Sequence, residues 1–506
     1  MEFNNTLDHL FKPESIAFIG ASNNPGKWGC LILMNLILGG YQGRIYPINP
    51  NEAEILGMKA YASIADIPEA ADLVFVVLPP PKVPPAILEC KGKAKVALVI
   101  TAGFGELGAE EKELEDALVR AACEAGIRVV GPNCNGVMCS APSKMYALMP
   151  PYFPSPNKIS LASQSGNIGG ITLRMSMLRN CGFGKYVSSG NEADLHMEDY
   201  FDYFLHDSDT EVILSYVEGA RNGKRLMEVA RRVTPHKPIA MIKGGRTPAG
   251  SVAASSHTGS LAGSDAVFSA MCKQAGILLV NDIDELFDIA LALRRQPLPK
   301  GNRVAILTTG GGLGVLCSDV CHNMGLNVVR LRPETIRKLD AVLPPWWNRG
   351  NPVDLVAGLS RSSVRGCLET LAGAEEVDGV LMLGLGFGSM RARLLEKTEF
   401  YKNPALRQMC DRTIEEDLNS ARVVLECIER FQKPILVVSE GAMFSAEDRK
   451  GSLEILESNG IFPYPSFRRG AEVMKRLIER KQFLEKVSDE RQIHSAARPQ
   501  ILDFGF

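Results

Sequence analysis

The N-terminal part of the chain alternates short apolar runs with longer amphipathic stretches. SIAFIG (15–20), RIYPINP (44–50), ADLVFVVLPP (71–80), AKVALVITAGF (94–104) and IRVVGPNC (127–134) read as strands. Their apolar positions are nearly continuous, the pattern of strands covered on both faces. GCLILMNLILGG (29–40) and EEKELEDALVRAACEAG (110–126) read as helices between them. Strands alternating with helices predict βαβ units on a parallel sheet. Ligands of such sheets sit at the carboxyl ends of the strands. The unusual residues fall there: Gly20, Ser22, Asn49, Pro50, Pro79, Thr101, Ala102, Gly103, Asn133 and Cys134, with Lys27 in the first Gly-rich turn.

The pattern then breaks at APSKMYALMPPYFPSPN (141–157), a Pro-rich stretch expected to be a connector. KISLASQSGNIGG (158–170) opens a second unit: a strand, a polar turn, and a helix expected to start near Gly169. EVILSYVEG (211–219) and KPIAMIKGG (237–245) are further strands, and ELFDIALALRRQ (285–296) closes the unit as a helix. GNRVAILTTGGGLG (301–314) opens a third unit on the same plan, which continues through strands VDGVLMLGLG (377–386) and KPILVVSEG (433–441). The expected organisation is therefore three α/β domains, 1–141, 157–298 and 299–470, and a tail from 471 to 506 that begins as a helix. Three domains also suit 506 residues, at about 100–200 residues per domain.

Composition narrows the function. Lys+Arg 56 against Asp+Glu 58 leaves a net charge of −2, without the clustered positive charge that nucleic acid or a membrane surface demands. The longest apolar run, LILMNLIL from Leu31, is far short of the roughly 18 residues of a membrane span. The N-terminus MEFNNTLDHLFKPES lacks an export-signal pattern. The 12 cysteines form no Cys-x-x-Cys pair and read as small buried residues of a reducing compartment, so the cytoplasm is expected. Cys317 and Cys321 beside His322 have the spacing of one helix face, and core packing is expected there rather than a metal.

The turn IGASNNPGKWG does not make a dinucleotide site. Gly20, Gly26 and Gly29 miss the G-x-G-x-x-G spacing, and the second strand ends at Asn49 where an acidic residue would hold a ribose. Its helix start can still hold phosphate. SQSGNIGG and TTGGGLG likewise place Gly and hydroxyl residues ahead of helices, which makes Ser163, Ser165, Gly166, Asn167, Gly311 and Gly312 candidate phosphate-binding residues. His257 stands in SSHTGSLAGSD (255–265), expected to be a loop of small residues able to move. An imidazole can accept a phosphoryl group on nitrogen, and helix dipoles can steady the product. Glu218, at the end of EVILSYVEG, is the candidate to orient that imidazole and fix its tautomer. Asp199 is the alternative, although a helix-capping role suits it better, and Lys243–Arg246 is either an anion site or a plain strand-end turn.

Ten stretches in order now carry a resemblance. They are FKPESIAFIGASNNPGKWG, IYPINP, ITAGFGE, GPNCNG, SQSGNIGG, SSGNEADL, YVEG, KGGR, SSHTGSLAGSD and NPVDL. The chain resembles the α subunit of the NDP-forming acyl-CoA synthetases, the superfamily that includes succinyl-CoA synthetase and ADP-forming acetyl-CoA synthetase. The resemblance implies an N-terminal Rossmann-like domain that binds coenzyme A through the strand-end residues named above. Two flavodoxin-like domains of the succinyl-CoA-synthetase type would follow. It implies that His257 is phosphorylated, that Glu218 orients it, and that SQSGNIGG supplies the phosphate-binding helix end. The implied chemistry interconverts acyl-CoA, phosphate and nucleoside diphosphate with carboxylic acid, CoA and nucleoside triphosphate.

Two features depart from the family pattern. Thr309 stands where Asn is common before the third-unit glycines, and Trp346 and Trp347 precede NPVDL, where they shape an acyl pocket, an interface or simple packing. No ATP-grasp pattern is found. The expectation is thus a hetero-oligomer whose separate ATP-grasp β subunit holds ATP/ADP or GTP/GDP and Mg²⁺. The competing readings are a non-catalytic CoA- or acyl-CoA-binding regulator of the same fold, and a stand-alone hydrolase or transferase. The intact set of His257, Glu218 and SQSGNIGG favours the ligase, and the hydrolase reading lacks a nucleophile.

Overall fold

Each predicted apolar run of the N-terminal part becomes a strand, and among these strand residues only Arg44 and Lys95 are exposed. A computed structural model describes residues 2–258, 264–355, 361–444 and 449–496. The first sheet contains β1 (Ser15–Ile19), β2 (Arg44–Ile48), β5 (Ala71–Val76), β6 (Ala94–Val99) and β7 (Arg128–Val130) in the order β2-β1-β5-β6-β7, all parallel. A short hairpin, β3 (Glu54–Ile55) with β4 (Met58–Lys59), follows β2. One face of the sheet buries Ala17, Val74 and Ala97 against helices, and the other buries Phe18 and Phe75, whose rings stack at 5.2 Å. The chain leaves β1 toward β2 on one side and later builds β5–β7 on the other. The crevice at that reversal, outside the carboxyl ends, is where such sheets hold ligands.

The second sheet has the order β14-β13-β12-β10-β11-β8-β9. Its strands are β8 (Gly136–Cys139), β9 (Met145–Leu148), β10 (Pro156–Ser163), β11 (Phe183–Ser188), β12 (Val212–Val217), β13 (Ile239–Lys243) and β14 (Ile277–Val280). β10 to β14 pair in parallel, whereas β8 runs antiparallel to both β11 and β9. The sequence assigned Met145–Leu148 to a connector, and the structure makes it the edge strand of this sheet. Four residues between prolines carry little pattern, and an edge position tolerates flanking prolines. The closeness of this hairpin is set at Gly136. Its φ is +113°, and a Cβ there would lie 2.1 Å from the Ala147 carbonyl oxygen.

The third sheet has the order β16-β15-β18-β19: β15 (Arg303–Thr308), β16 (Asn327–Val328), β18 (Gly379–Leu383) and β19 (Ile435–Val438). β17 (Val353–Asp354) joins the far end of β15. In all three sheets the first parallel strand lies between the second and the next main one, so the shared plan read between the second and third units extends to the first. The chain divides into two units, Met1–Leu286 with the first two sheets and Phe287–Phe506 with the third. Cys317 and Cys321 are core residues on one face of the helix Gly311–Asn323, as their spacing predicted. Trp347 is packed, its indole N–H donating to Asp340 at 2.8 Å, while Trp346 is exposed. The tail begins on the helix Phe467–Ala496, and 497–506 lie outside the described residues.

The second sheet encloses an ion pair. Lys185 on β11 and Asp207 are both almost wholly buried, 2.7 Å apart, and the Thr210 hydroxyl also donates to Asp207. Burial alone would raise the Asp207 carboxyl. Hydrogen bonds from Lys185 and Thr210 and the charges of Lys185 and Lys12 bring it below the ordinary aspartate value instead. A carboxyl lowered in the folded state stabilises the fold above its unfolded pKa and loses that contribution as pH falls through the folded one. Lys185→Met should therefore cost about 3 kcal/mol at neutral pH by leaving the buried carboxylate with only the longer pair to Lys12, at 3.5 Å, among the ion pairs the described residues give it. The gap to the parent chain should close in denaturant melts below about pH 4; a gap independent of pH would show that the pair is not its source.

Candidate active site

The carboxyl ends of β10, β12 and β13 meet beside the end of the first sheet. β10 ends at Ser163, whose hydroxyl donates to the Ser165 carbonyl at 2.7 Å and folds the chain into a turn. Ser165 caps the helix Gly166–Leu178, its hydroxyl accepting from Ile168 N at 3.4 Å. The helix thus starts at Gly166, three residues before the expected Gly169. Gly166 packs against Asn135, whose amide donates to the Gly166 carbonyl at 2.9 Å. Gly169 packs under the Tyr186 ring, where a Cβ would fall 2.3 Å from the hydroxyl. Asn167 is exposed in the first turn. Amide groups of that turn have no partner four residues back in the helix, and the dipole adds positive potential there. These are the properties of a phosphate-binding end.

Glu218 follows β12 directly and is 8% exposed. Its Oε1 accepts from the Tyr216 hydroxyl at 3.3 Å. The Gln164 side chain grips the backbone beneath it: Oε1 accepts from Glu218 N at 2.6 Å, and Nε2 donates to the Gly219 carbonyl at 2.8 Å. Lys243, at the end of β13, donates to the Glu218 carbonyl at 2.7 Å and also to the Gly244 carbonyl. Burial lowers its ammonium pKa. Arg246 pairs with Asp265 at 2.9 Å. Both cations of the KGGR turn therefore have protein acceptors, the behaviour of a strand-end turn. Asp199 accepts from His196 N at 2.8 Å and pairs with Arg225, so it caps the helix Met197–His206 as its alternative reading held.

A cavity of about 590 Å³ opens over these strand ends. Asn133, Gln164, Glu218 and Lys243 line its polar side, and Met227 and Phe268 its apolar side. The backbone of His257 lies in the last turn of the helix Pro248–Thr258, a correction to the expected loop. Small Ala and Ser residues without an interrupting Pro allow a helix there. The His257 side chain and residues 259–263 lie outside what the structure describes.

The first-sheet candidates gather at one edge. Gly20 ends β1 with φ +90°, and a Cβ on it would sit 2.1 Å from the Val77 carbonyl oxygen, so only glycine lets the β1 turn pass so close to β5's. Ser22 accepts from Asn24 N at 3.1 Å, and exposed Lys27 precedes the helix Trp28–Leu38. Asn49 reaches back from β2 to donate to the Ala21 carbonyl at 2.9 Å, with Pro50 exposed beside it. Pro79 and Ala102 are exposed on the turns after β5 and β6. Thr101 ties these two turns, its hydroxyl donating to the Leu78 carbonyl at 2.7 Å. Gly103 N donates to Glu106 at 2.6 Å. Asn133, at φ +60° after β7, donates to Asn191 Oδ1 at 3.3 Å. Cys134 differs from the rest: it belongs to the core at 4% exposure, and burial pushes its thiol pKa upward.

Gly311 and Gly312 stand apart in the second unit, at the start of the helix Gly311–Asn323. A Cβ on Gly311 would come within 2.9 Å of Asp354 Oδ2, so a carboxylate already sits at that helix end. It repels a second anion there, which weakens the third-unit glycines as a phosphate site relative to SQSGNIGG.

Sequence reasoning passed over three groups. Gln164 was read only as part of a loop. Asn191 donates to Glu106 and to Glu115, the latter at 3.0 Å, and so links the Gly103 turn to the strand ends of the second sheet. Glu192, at φ +53°, is 2% exposed, and burial raises its carboxyl to about 7 against hydrogen bonds from Ser189 and Gln164. The signal for the last two was SSGNEADL itself, a run of small and polar residues straight after an apolar strand.

A strand-end crevice on a first parallel sheet, followed by a second sheet whose strand ends carry a helix N-terminus and a buried carboxylate, is an α/β architecture with its candidate ligand-holding turns together. Residues 14–140 match the CoA binding domain, 156–293 the succinyl-CoA ligase like flavodoxin domain, and 304–382 the Ligase-CoA domain. The chain is 37% identical over 479 residues to the acetate–CoA ligase [ADP-forming] I subunit alpha of Pyrococcus furiosus, covering 94% of this chain and 97% of that one. It is 40% identical over 351 residues to the acetate–CoA ligase [ADP-forming] of Methanocaldococcus jannaschii, 69% of this chain and 49% of that protein. The solved dinucleotide-forming acetyl-coenzyme A synthetase 1 of Ca. Korarchaeum cryptofilum, in complex with phosphate and ADP, superposes with a TM-score of 0.81 at 32% identity, covering 96% of this chain and 98% of that one. The chain belongs to the family of ADP-forming acetate–CoA ligase α subunits. That membership favours the catalytic reading over the regulatory one.

Glu218→Gln keeps the shape of the site and removes its charge. It should slow phosphoryl transfer at least tenfold while shifting the CoA dissociation constant less than about twofold, as read by rapid quench and calorimetry. Equal losses in both would remove Glu218 from the chemistry.

Proposed function

We propose that this chain is the α subunit of an acid–CoA ligase that works through an acyl phosphate and a phosphohistidine at His257. The observation that carries the proposal is the pairing of Glu218 with the open helix end Ser165–Asn167 at adjoining strand ends of one sheet. In the ligation direction the histidine nitrogen takes the γ-phosphoryl group of a nucleoside triphosphate, and the diphosphate leaves. A carboxylate oxygen of the acid then attacks phosphorus, the N–P bond breaks, and an acyl phosphate forms. The CoA sulfur attacks its carbonyl carbon, and phosphate leaves. Every step reverses.

Glu218 holds the imidazole in one tautomer, so that the nitrogen facing phosphorus carries the lone pair. The amides of the first turn of Gly166–Leu178 hold phosphoryl oxygens as charge shifts among them. Gly20, Ser22, Lys27, Asn49, Pro50, Pro79, Thr101, Ala102, Gly103 and Asn133 form the edge that takes CoA, with Cys134 packed behind it. The names of the relatives point to an adenine nucleotide. We assign its binding, together with Mg²⁺, to an ATP-grasp β subunit, and the active form to a hetero-oligomer. The acid is a small carboxylic acid. Among the described residues no helix is long and apolar enough to cross a membrane. The 12 cysteines are free, which fits the reducing cytoplasm we propose as its location.

The chain purified with its partner, given Mg²⁺ and ATP or GTP, should gain one acid-labile phosphoryl group on His257, seen by mass spectrometry. His257→Ala should abolish both that group and ligation, with CoA binding near normal. Turnover retained in His257→Ala would overturn the mechanism.

A further inference from the structure

Three hydrogen bonds tie the carboxamide of Gln164 to the turn after β12. Its Oε1 accepts from Glu218 N at 2.6 Å and from Gly219 N at 3.3 Å. Its Nε2 donates to the Gly219 carbonyl at 2.8 Å. Both acceptor positions of the amide oxygen and one of its N–H donors are thus used on one turn. Such an amide is held in one orientation.

The side chain takes over where the sheet stops. The β10–β12 ladder ends at the pair Ser163–Tyr216, and Gln164 N makes one further bond, to the Tyr216 carbonyl at 3.1 Å. Beyond that point the backbones of β10 and β12 part, because the chain after Ser163 turns into the helix Gly166–Leu178. The Gln164 carboxamide supplies the peptide-like acceptor and donor that a next β10 residue would have supplied. It holds Glu218–Gly219 in the line of the strand for two residues past the ladder. The titratable groups at this turn are Tyr216, whose hydroxyl donates to the Glu218 carboxylate at 3.3 Å, and Lys243, whose ammonium donates to the Glu218 carbonyl at 2.7 Å. On the neighbouring turn the buried Glu192 accepts from the Ser189 hydroxyl at 2.7 Å and feels the charges of His196 and Glu198.

We propose that Gln164 is a positioning residue: it braces the backbone of Glu218 and Gly219 from the end of β10, and so sets the direction in which the Glu218 carboxylate meets the phosphorylated histidine. The proposal rests on the phosphohistidine reading above. Gln164 touches neither phosphate nor CoA in this role, and it acts through Glu218.

The substitution that separates this from a packing role is Gln164→Glu. It keeps size and shape, removes both N–H donors, and places a second carboxyl beside Glu218. Gln164→Met keeps size and removes all polarity. Both variants, in complex with the partner subunit, are followed for phosphorylation of His257 from Mg²⁺–ATP, with CoA binding and thermal melting measured beside it. We expect the phosphorylation rate to fall at least tenfold in both, with the CoA dissociation constant within about twofold of the parent. In Gln164→Glu the acid limb of the rate–pH profile should move to higher pH, because two adjacent carboxyls retain a proton longer than one. If the parent complex phosphorylates His257 and both variants match its rate and pH profile, Gln164 has no positioning role. A loss that follows the melting temperature with the pH profile unmoved overturns it equally. If the parent itself takes no phosphoryl group, the phosphohistidine reading fails first. Should Gln164→Met not fold, the rate and profile of Gln164→Glu decide alone.

Discussion

The pairing of β10 between β11 and β12 is the constraint on which the rest of the first unit depends. It brings Ser163 opposite Ser188 on one side and Tyr216 on the other. The three turns that follow, SQSGN, SGNEAD and EGAR, therefore leave the sheet side by side. Parallel strands aim their carboxyl ends in one direction, and a strand order that reverses at the first strand lets its flanking turns diverge. The helix end, the carboxylate and the cavity over them are consequences of that register. A one-residue slip of β12 would turn Glu218 to the opposite face.

Two polar systems, one buried and one partly buried, then make that register specific. Lys185 and Asp207 lie deep in the second sheet, where an unpaired charge would be costly. Asn191 lies nearer the site and belongs to both sheets' ends. Its backbone N–H donates to the Pro132 carbonyl at 2.9 Å, its carboxamide joins Asn133 to Glu106 and Glu115, and Arg221 donates to its carbonyl. The turns expected to meet CoA and the turn that carries Glu192 are thus held by one side chain. Where such networks are withdrawn from water, as at Lys185–Asp207 and Glu115, they fix a single arrangement, because any other leaves a donor or acceptor unpaired in a medium of low dielectric.

Much of the fold could be read from the amino acids in order. SIAFI, ADLVFV and AKVALV are apolar throughout because helices cover both faces of a parallel sheet, and that demand is written locally. The strand-end positions of Glu218 and Ser165 were legible for a related reason: polar residues directly after an apolar strand mark where it leaves the sheet. The strand MYAL was not legible, since its burial depends on pairing with Gly136–Cys139 and not on its own pattern. His257 was expected in a loop because its neighbours are small, yet small residues without proline also suit a helix. Cys134 follows a strand as Asn133 does, but its side chain turns into the core, and sequence position alone does not give that direction.

By itself the sequence determined the kinds and order of most elements and the polar turns that stand at the strand ends. Each of these follows from residues within a few positions of one another. Only the tertiary structure decided which turns meet. Gln164 reaches Gly219 across 55 positions, and Asn191 reaches Glu106 across 85. Those partners are chosen by strand order and register, which bring distant backbones within hydrogen-bond distance, and no local pattern of hydrophobic and polar residues encodes that choice.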